Sequence, residues 1–264
     1  MGSLTIAKFC SSMPVNGTNY WWTVALAPLS ISRPLSFIAG MASIMNAITS
    51  IASFSWASSS SICTTIGLFT GWVPANPIIF AVAIVTCAAW FFTVSVMMDK
   101  ASLVFIALVT ETLVLVSSAC FVIGLPVAQR TQGIPFTSVA TVFGDYTNYS
   151  DWGKLVTVPF TFFCTTWVIT GWNTPSAMAE ENHNARIAAP RSIINTYCLQ
   201  AGMGMLFCTL LAFCILEIEA VASDSTGYAA FTLLIYHRGL KFAGAFLPII
   251  FLNTSIGGAG RSCS

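Results

Sequence analysis

Long stretches of this chain carry no charge. None falls between Arg33 and Asp99, between Lys154 and Glu180, between Arg191 and Glu217, or between Lys241 and Arg261. Each interval has room for a helix of about 20 residues, the length that crosses a bilayer. Reading apolar runs against breakers predicts a partial segment at 1–12 and spans at 36–70, 77–98, 101–126, 155–179, 192–216 and 242–260. The pattern is that of an all-α, polytopic membrane helical bundle, treated as a single partial domain over 1–264.

The connections are short and polar. "SSMPVNGTNYWW" reads as a turn followed by a short amphipathic stretch ending at "LAPLSISRP", and "TGWVPANP" stops the 36–70 run. Residues 127–154 form the longest polar segment and contain the acceptor pattern Asn148-Tyr149-Ser150, a glycosylation candidate if it faces a lumen or the outside. With that segment outside, Arg33, Lys100, Arg186, Arg191 and Arg261 fall inside, against Arg130, Lys154, Arg238 and Lys241 outside. The basic-residue rule therefore favours this orientation by one residue, and the pair Arg186 and Arg191 beside a span points the same way.

Composition agrees with a membrane setting: only 7% of residues are charged, and the mean hydropathy is +0.82, far above an ordinary soluble domain. A net charge of +1 with dispersed basic residues excludes a polyanion footprint, so no nucleic-acid partner is expected. Cys87, Cys120, Cys164, Cys198, Cys208 and Cys214 lie in apolar runs without metal-ligand spacing and read as small packing residues. His183 and His237 sit near span ends as solvated loop residues, so no metal or cofactor is expected. The start of the chain lacks a secretory signal pattern, and Ile6 stands where myristoylation wants Ser or Thr. The serines of "SFSWASSSS" have no His or Lys partner in the same runs, which argues against an intramembrane enzyme and leaves no catalytic residue to name. Glu111, inside an apolar run, is either a coupling group or a satisfied packing contact.

The stretch with most chemical content is 158–182, expected to be one discontinuous helix. Gly171 and Pro175 interrupt an apolar run four residues apart, which a membrane helix tolerates only where protein or a wet cavity satisfies the freed backbone. Trp172, Asn173 and Thr174 in that break can supply an aromatic wall and neutral hydrogen-bonding groups. A plain proline kink is the alternative. Beyond the break, "AMAEENHNARIAAPRSI" reads as a polar joint on the cytoplasmic side: Glu180 and Glu181 brace it, pairing with Arg186 or Arg191, and Pro190 opens the next helix at its first turn.

"GWNTPSAMAEENHNARIAAPRSI" resembles the sixth-helix signature of the amino acid, polyamine and organocation permeases, especially the fungal GABA and choline permease branch. "SSMPVNGTNYWWTVALAP" is similar to the segment after that family's second helix, "RPLSFIAGMASIMNAI" to the start of its third, and "VFGDYTNYSDW" to the loop before its sixth. The resemblance implies part of an inverted-repeat transporter fold, from the end of helix two to helix eight. It places substrate against Trp167, Thr170, Gly171, Trp172, Asn173 and Thr174. The partners implied are a small amino acid or amine (GABA, choline, polyamine or related), a co-transported proton as candidate driving ion, and the lipid of a plasma or vacuolar membrane.

Three departures qualify that implication. Asn173 stands where the family usually has an acid, "GMASIMNA" lacks the family's tryptophans, and the first helix, which would carry the partner half of the site, is expected before Met1. The leading reading is secondary transport of a small amino acid or amine. The alternative is a truncated, non-transporting chain that at most associates with other membrane proteins.

Overall fold

The computed structural model describes residues 2–72, 74–97, 101–144, 148, 152–169, 171–177, 179–181 and 184–216. The expected span at 242–260, with Glu217 and His237, lies outside the described residues, as does His183. Regular structure among the described residues is helical throughout: α1 (Gly2–Ser12), α2 (Thr18–Leu26), α3 (Ser32–Thr70), α4 (Asn76–Met97), α5 (Ala101–Thr131), α6 (Val139–Gly144), α7 (Lys154–Val168), α8 (Thr174–Ala177), a 3-10 turn at Ala179–Glu181, and α9 (Ala185–Cys214). The all-α class is thus observed. Among the described residues, three stretches are long and apolar enough to cross a membrane, Ser32–Gly67, Thr112–Thr131 and Ala185–Cys214. Their outward residues are large and apolar, as at Phe37 and Ile38, 66% and 63% exposed, which suits a helix whose solvent is lipid.

Helix ends differ from the sequence reading in two places, each for a local reason. α5 runs through Pro126 to Thr131 rather than stopping at 126; the ring removes one backbone donor but need not end a membrane helix. α9 starts at Ala185 rather than 192. Asn184 adopts φ 56°, a left-handed conformation that asparagine tolerates, and its carbonyl accepts from the amides of Ile187 and Ala188 at 2.9 and 3.0 Å. Pro190 therefore stands inside α9, as its sixth residue, and not in its first turn.

α3 holds 39 residues, about 58 Å at 1.5 Å per residue, nearly twice the hydrocarbon thickness of about 30 Å. A tilt of about 40°, the upper end of the usual range, accounts for only about 39 Å of it, so one end extends into the headgroup region or water.

The described residues form two compact units, 2–47 with 148–208, and 48–144 with 209–216. The first holds a small core in which Ala7 and Cys10 of α1, Trp22 of α2, Ala179 of the 3-10 turn, and Ala189 and Ile193 of α9 are buried together. Trp22 is its largest member: the ring meets Phe9 at 5.8 Å between centroids, and Nε1–H donates to the Met13 carbonyl at 3.0 Å. That bond satisfies both the indole and a carbonyl just past the end of α1. A glycine also leaves room where α2 approaches α3. A Cβ at Gly40 on α3 would stand 3.2 Å from Cδ2 of Tyr20 on α2.

The second unit buries a run of hydroxyls besides large side chains such as Ile79, Trp90 and Leu125. Ser55, Ser58, Ser59, Ser60, Ser61 and Thr65 of α3 are all buried. Several bond back along the helix: Ser55 to the Ile51 carbonyl at 2.8 Å, Ser59 to Ser55 at 2.8 Å and Thr65 to Ser61 at 2.7 Å. Small residues let helices approach closely in a membrane, where apolar burial gives no driving force between them. Ser59 Oγ and Thr86 Oγ1 of α4 meet at 3.5 Å. At the end of α9, Thr137 caps two carbonyls, its N–H donating to Phe213 at 3.0 Å and its hydroxyl to Ile215 at 2.8 Å.

Trp22→Ala removes a buried ring and a buried hydrogen bond, and should destabilise the first unit by about 3 kcal/mol. Trp22→Phe keeps most of the packing and should cost about 1 kcal/mol. Thermal unfolding in detergent measures both, and equal effects of the two would contradict the role given to the indole N–H.

Candidate functional site

α7 contains 15 residues, about 22 Å of helix, short of a hydrocarbon core of about 30 Å. A crossing that starts at Lys154 is therefore completed only by residues beyond the end of α7. The chain turns out of the helix there: Gly171 adopts φ +86°, and residues 171–173 form a turn before the four residues of α8. A left-handed φ of that size is open to glycine and strained for side chains with a Cβ. The apolar run is thus broken at the position expected from Gly171 and Pro175, and the break is a change of chain direction rather than a proline kink alone.

The turn satisfies itself. The Gly171 carbonyl accepts from the Thr174 N–H at 3.2 Å and from the Thr174 hydroxyl at 2.7 Å. The Asn173 carbonyl accepts from the Ser176 N–H at 3.0 Å and from the Ser176 hydroxyl at 2.6 Å. Thr174, expected to offer its hydroxyl to substrate, spends that donor on the backbone, as does buried Ser176. Among the described residues, the Asn173 carboxamide and the Trp172 indole N–H make no hydrogen bond, and the Asn173 side chain is exposed. The break therefore presents one neutral amide and one indole.

Trp172 is held by its neighbours. Its ring stands edge-to-face with Tyr197 of α9, centroids 6.0 Å apart at 85°, and packs against the core of the first unit. Tyr197 was not singled out from sequence, and no local signal marks it: it lies 25 positions after Trp172 in an ordinary apolar helix. Of the other expected wall residues, Trp167 belongs to α7 with its side chain outside the described residues, and Thr170 lies outside them altogether.

The joint differs from its expected pairing. Glu180 accepts the Asn16 N–H on Oε1 at 3.0 Å, and its own N–H donates to Asn16 Oδ1 at 3.0 Å. Among the described residues it makes no ion pair with Arg186 or Arg191, both exposed on α9. Glu181 is in the 3-10 turn with its side chain outside the described residues. The reason is geometric: α9 begins at Ala185 and leaves both Arg186 and Arg191 exposed, while Glu180 in the turn before it reaches the loop after α1. Elsewhere, Asn148 donates from Nδ2 to the Trp152 carbonyl at 2.6 Å, and Glu111 belongs to α5 with its side chain outside the described residues. No group of three metal-ligating side chains occurs among the described residues.

Comparison with known proteins places this architecture. The family described as amino acid permease matches residues 1–260. An uncharacterized amino-acid permease of Schizosaccharomyces pombe is 27% identical over 223 residues, covering 84% of this chain and 41% of that protein. The GABA-specific permease of Saccharomyces cerevisiae is 25% identical over 265 residues, covering 94% of this chain and 44% of that one. A putative polyamine transporter of Candida albicans is 28% identical over 127 residues, covering 46% and 23%. The chain spans less than half the length of these curated relatives. No solved structure matches it. With a family match along nearly its whole length and apolar helices of membrane-crossing length, the chain belongs to the amino acid permease family and is an integral, multi-pass membrane protein.

Proposed function

We propose that this chain serves secondary transport of a small amino acid or amine, as part of an inverted-repeat fold, with Gly171 to Thr174 as one wall of the substrate site and Trp167 and Thr170 beside it. The observation that carries the reading is the turn at Gly171, φ +86°, set in an apolar segment and presenting Trp172 and an Asn173 amide that has no hydrogen bond among the described residues. Unwound backbone and half-helix ends are how such folds hold polar substrates within a bilayer. A permease specific for GABA and a putative polyamine transporter among the relatives support the substrate class.

Charge refines it. α7 ends at Val168, and the last four carbonyls of a helix lack in-helix partners, so its end places partial negative charge at the break. That favours the ammonium end of a substrate there. Asn173 adds an amide where a carboxylate would add a full charge, which suits a zwitterion or monocation over a polycation. A proton is the candidate co-transported ion, Glu180, Glu181, Arg186 and Pro190 belong to the joint that gates the site, and no covalent chemistry is involved. A second reading, a chain that does not transport by itself, draws on one fact: its relatives are more than twice as long as the part matched here.

The deciding assay is uptake of labelled GABA, choline and other amino acids by a transporter-deficient yeast expressing this chain. Saturable uptake of at least one is expected; none, from a chain shown to reach the membrane, selects the second reading. Gly171→Val should cut uptake about tenfold or more without removing the protein from the membrane, because a β-branched residue resists φ +86°. Asn173→Asp should improve competition by cationic amines over zwitterionic amino acids by about tenfold, since a carboxylate replaces an amide. An unchanged ratio of inhibition constants would remove Asn173 from the site.

A further inference from the structure

The segment after the break is held at both ends by the first part of the chain. At its start, a Cβ on Gly2 would stand 4.0 Å from Cζ2 of Trp172, so the indole lies beside the first residue of α1. At its end, Asn16 and Glu180 exchange two hydrogen bonds of 3.0 Å, each from one residue's backbone N–H to the other's side-chain oxygen. Between them Ala179 is fully buried in the cluster that contains Ala7 and Cys10. Trp172 thus lies beside the beginning of α1, and Glu180 is tied to the turn past its end.

The exchange satisfies two backbone donors that have no helical partner, one in the loop after α1 and one in a 3-10 turn. It also explains the residue types. Both side chains act as acceptors, so one must be neutral: an aspartate at 16 would offer the same oxygen but set two carboxylates against each other.

We propose that Asn16 is a positioning residue for the substrate-facing break. Through Glu180 it fixes the 3-10 turn and α8 along α1, and so the directions in which Trp172 and Asn173 present their side chains. The functional half of this rests on the reading of the break as a substrate wall. Neither Asn16 nor Glu180 touches substrate in this arrangement. α1 with its following turn works as a splint: Trp172 is seated at one end and Glu180 tied at the other.

The test compares the full chain with Asn16→Asp, Glu180→Gln and the double variant N16D/E180Q. Hydrogen exchange is followed in lipid nanodiscs, and uptake in the transporter-deficient yeast at matched membrane levels. E180Q keeps its acceptor oxygen, N16D keeps its own but opposes two carboxylates, and the double variant keeps both acceptors without the repulsion. In N16D, exchange at the amides of Thr174, Ser176 and Ala177 should quicken about tenfold, and KM should rise about tenfold with maximal rate within about twofold. E180Q and N16D/E180Q should stay within about threefold of the parent in both measurements. Faster exchange confined to residues 16 and 180, with α8 unchanged, overturns the proposal, and so does a double variant as impaired as N16D. If the parent chain takes up nothing while the exchange pattern follows, the substrate-wall reading falls and the positioning of α8 by Asn16 stands.

Discussion

A bilayer offers no water to an unpaired peptide group, and the arrangement around Gly171 follows from that constraint. α7 stops too early to complete a crossing, so the chain must turn where its carbonyls and amides need partners. Thr174 and Ser176 supply them locally, each with both backbone and hydroxyl donors to a carbonyl three residues back. What remains is selective. The groups that close the turn are used up, whereas the Asn173 carboxamide and the Trp172 indole N–H make no hydrogen bond among the described residues.

A turn that satisfies its own hydrogen bonds still needs a fixed place. In the first unit that place is set by small residues and rings together: Ala179 against Ala7 and Cys10, Trp172 against Tyr197, and Trp22 closing the core from α2. Small residues at the contacts let backbones approach, which in lipid gives more packing than larger apolar groups could. The second unit follows the same rule with serines, whose hydroxyls bond to their own helix and leave a thin, closely packed face on α3. The two units meet one constraint by different compositions.

The helical class and the break were legible because they depend on patterns local in sequence: charge-free intervals of span length, and a glycine and proline four apart in an apolar run. The signature from 171 to 193 placed the chain in its family, and the family match along residues 1–260 agrees. Contacts between distant residues were not legible. Glu180 reads naturally as a partner for Arg186 or Arg191, close in sequence and opposite in charge, yet it bonds to Asn16, 164 positions away. Pro190 reads as a helix start because proline suits a first turn; the left-handed Asn184 starts the helix earlier, which no composition rule singles out. Thr174 reads as a donor to substrate because side-chain chemistry says nothing of which acceptor lies nearest. Local pattern located the break, and three-dimensional contact decided which of its groups find partners among the described residues.

The central claim is that the turn at 171–174 forms a wall of the substrate site. Its most direct test is photolabelling of membranes containing the full chain with a diazirine-bearing small amine, followed by peptide mapping. Label is expected on Trp172 and Asn173, suppressed by excess unlabelled substrate. Label that falls elsewhere in the chain, or that competition leaves unchanged, would contradict it.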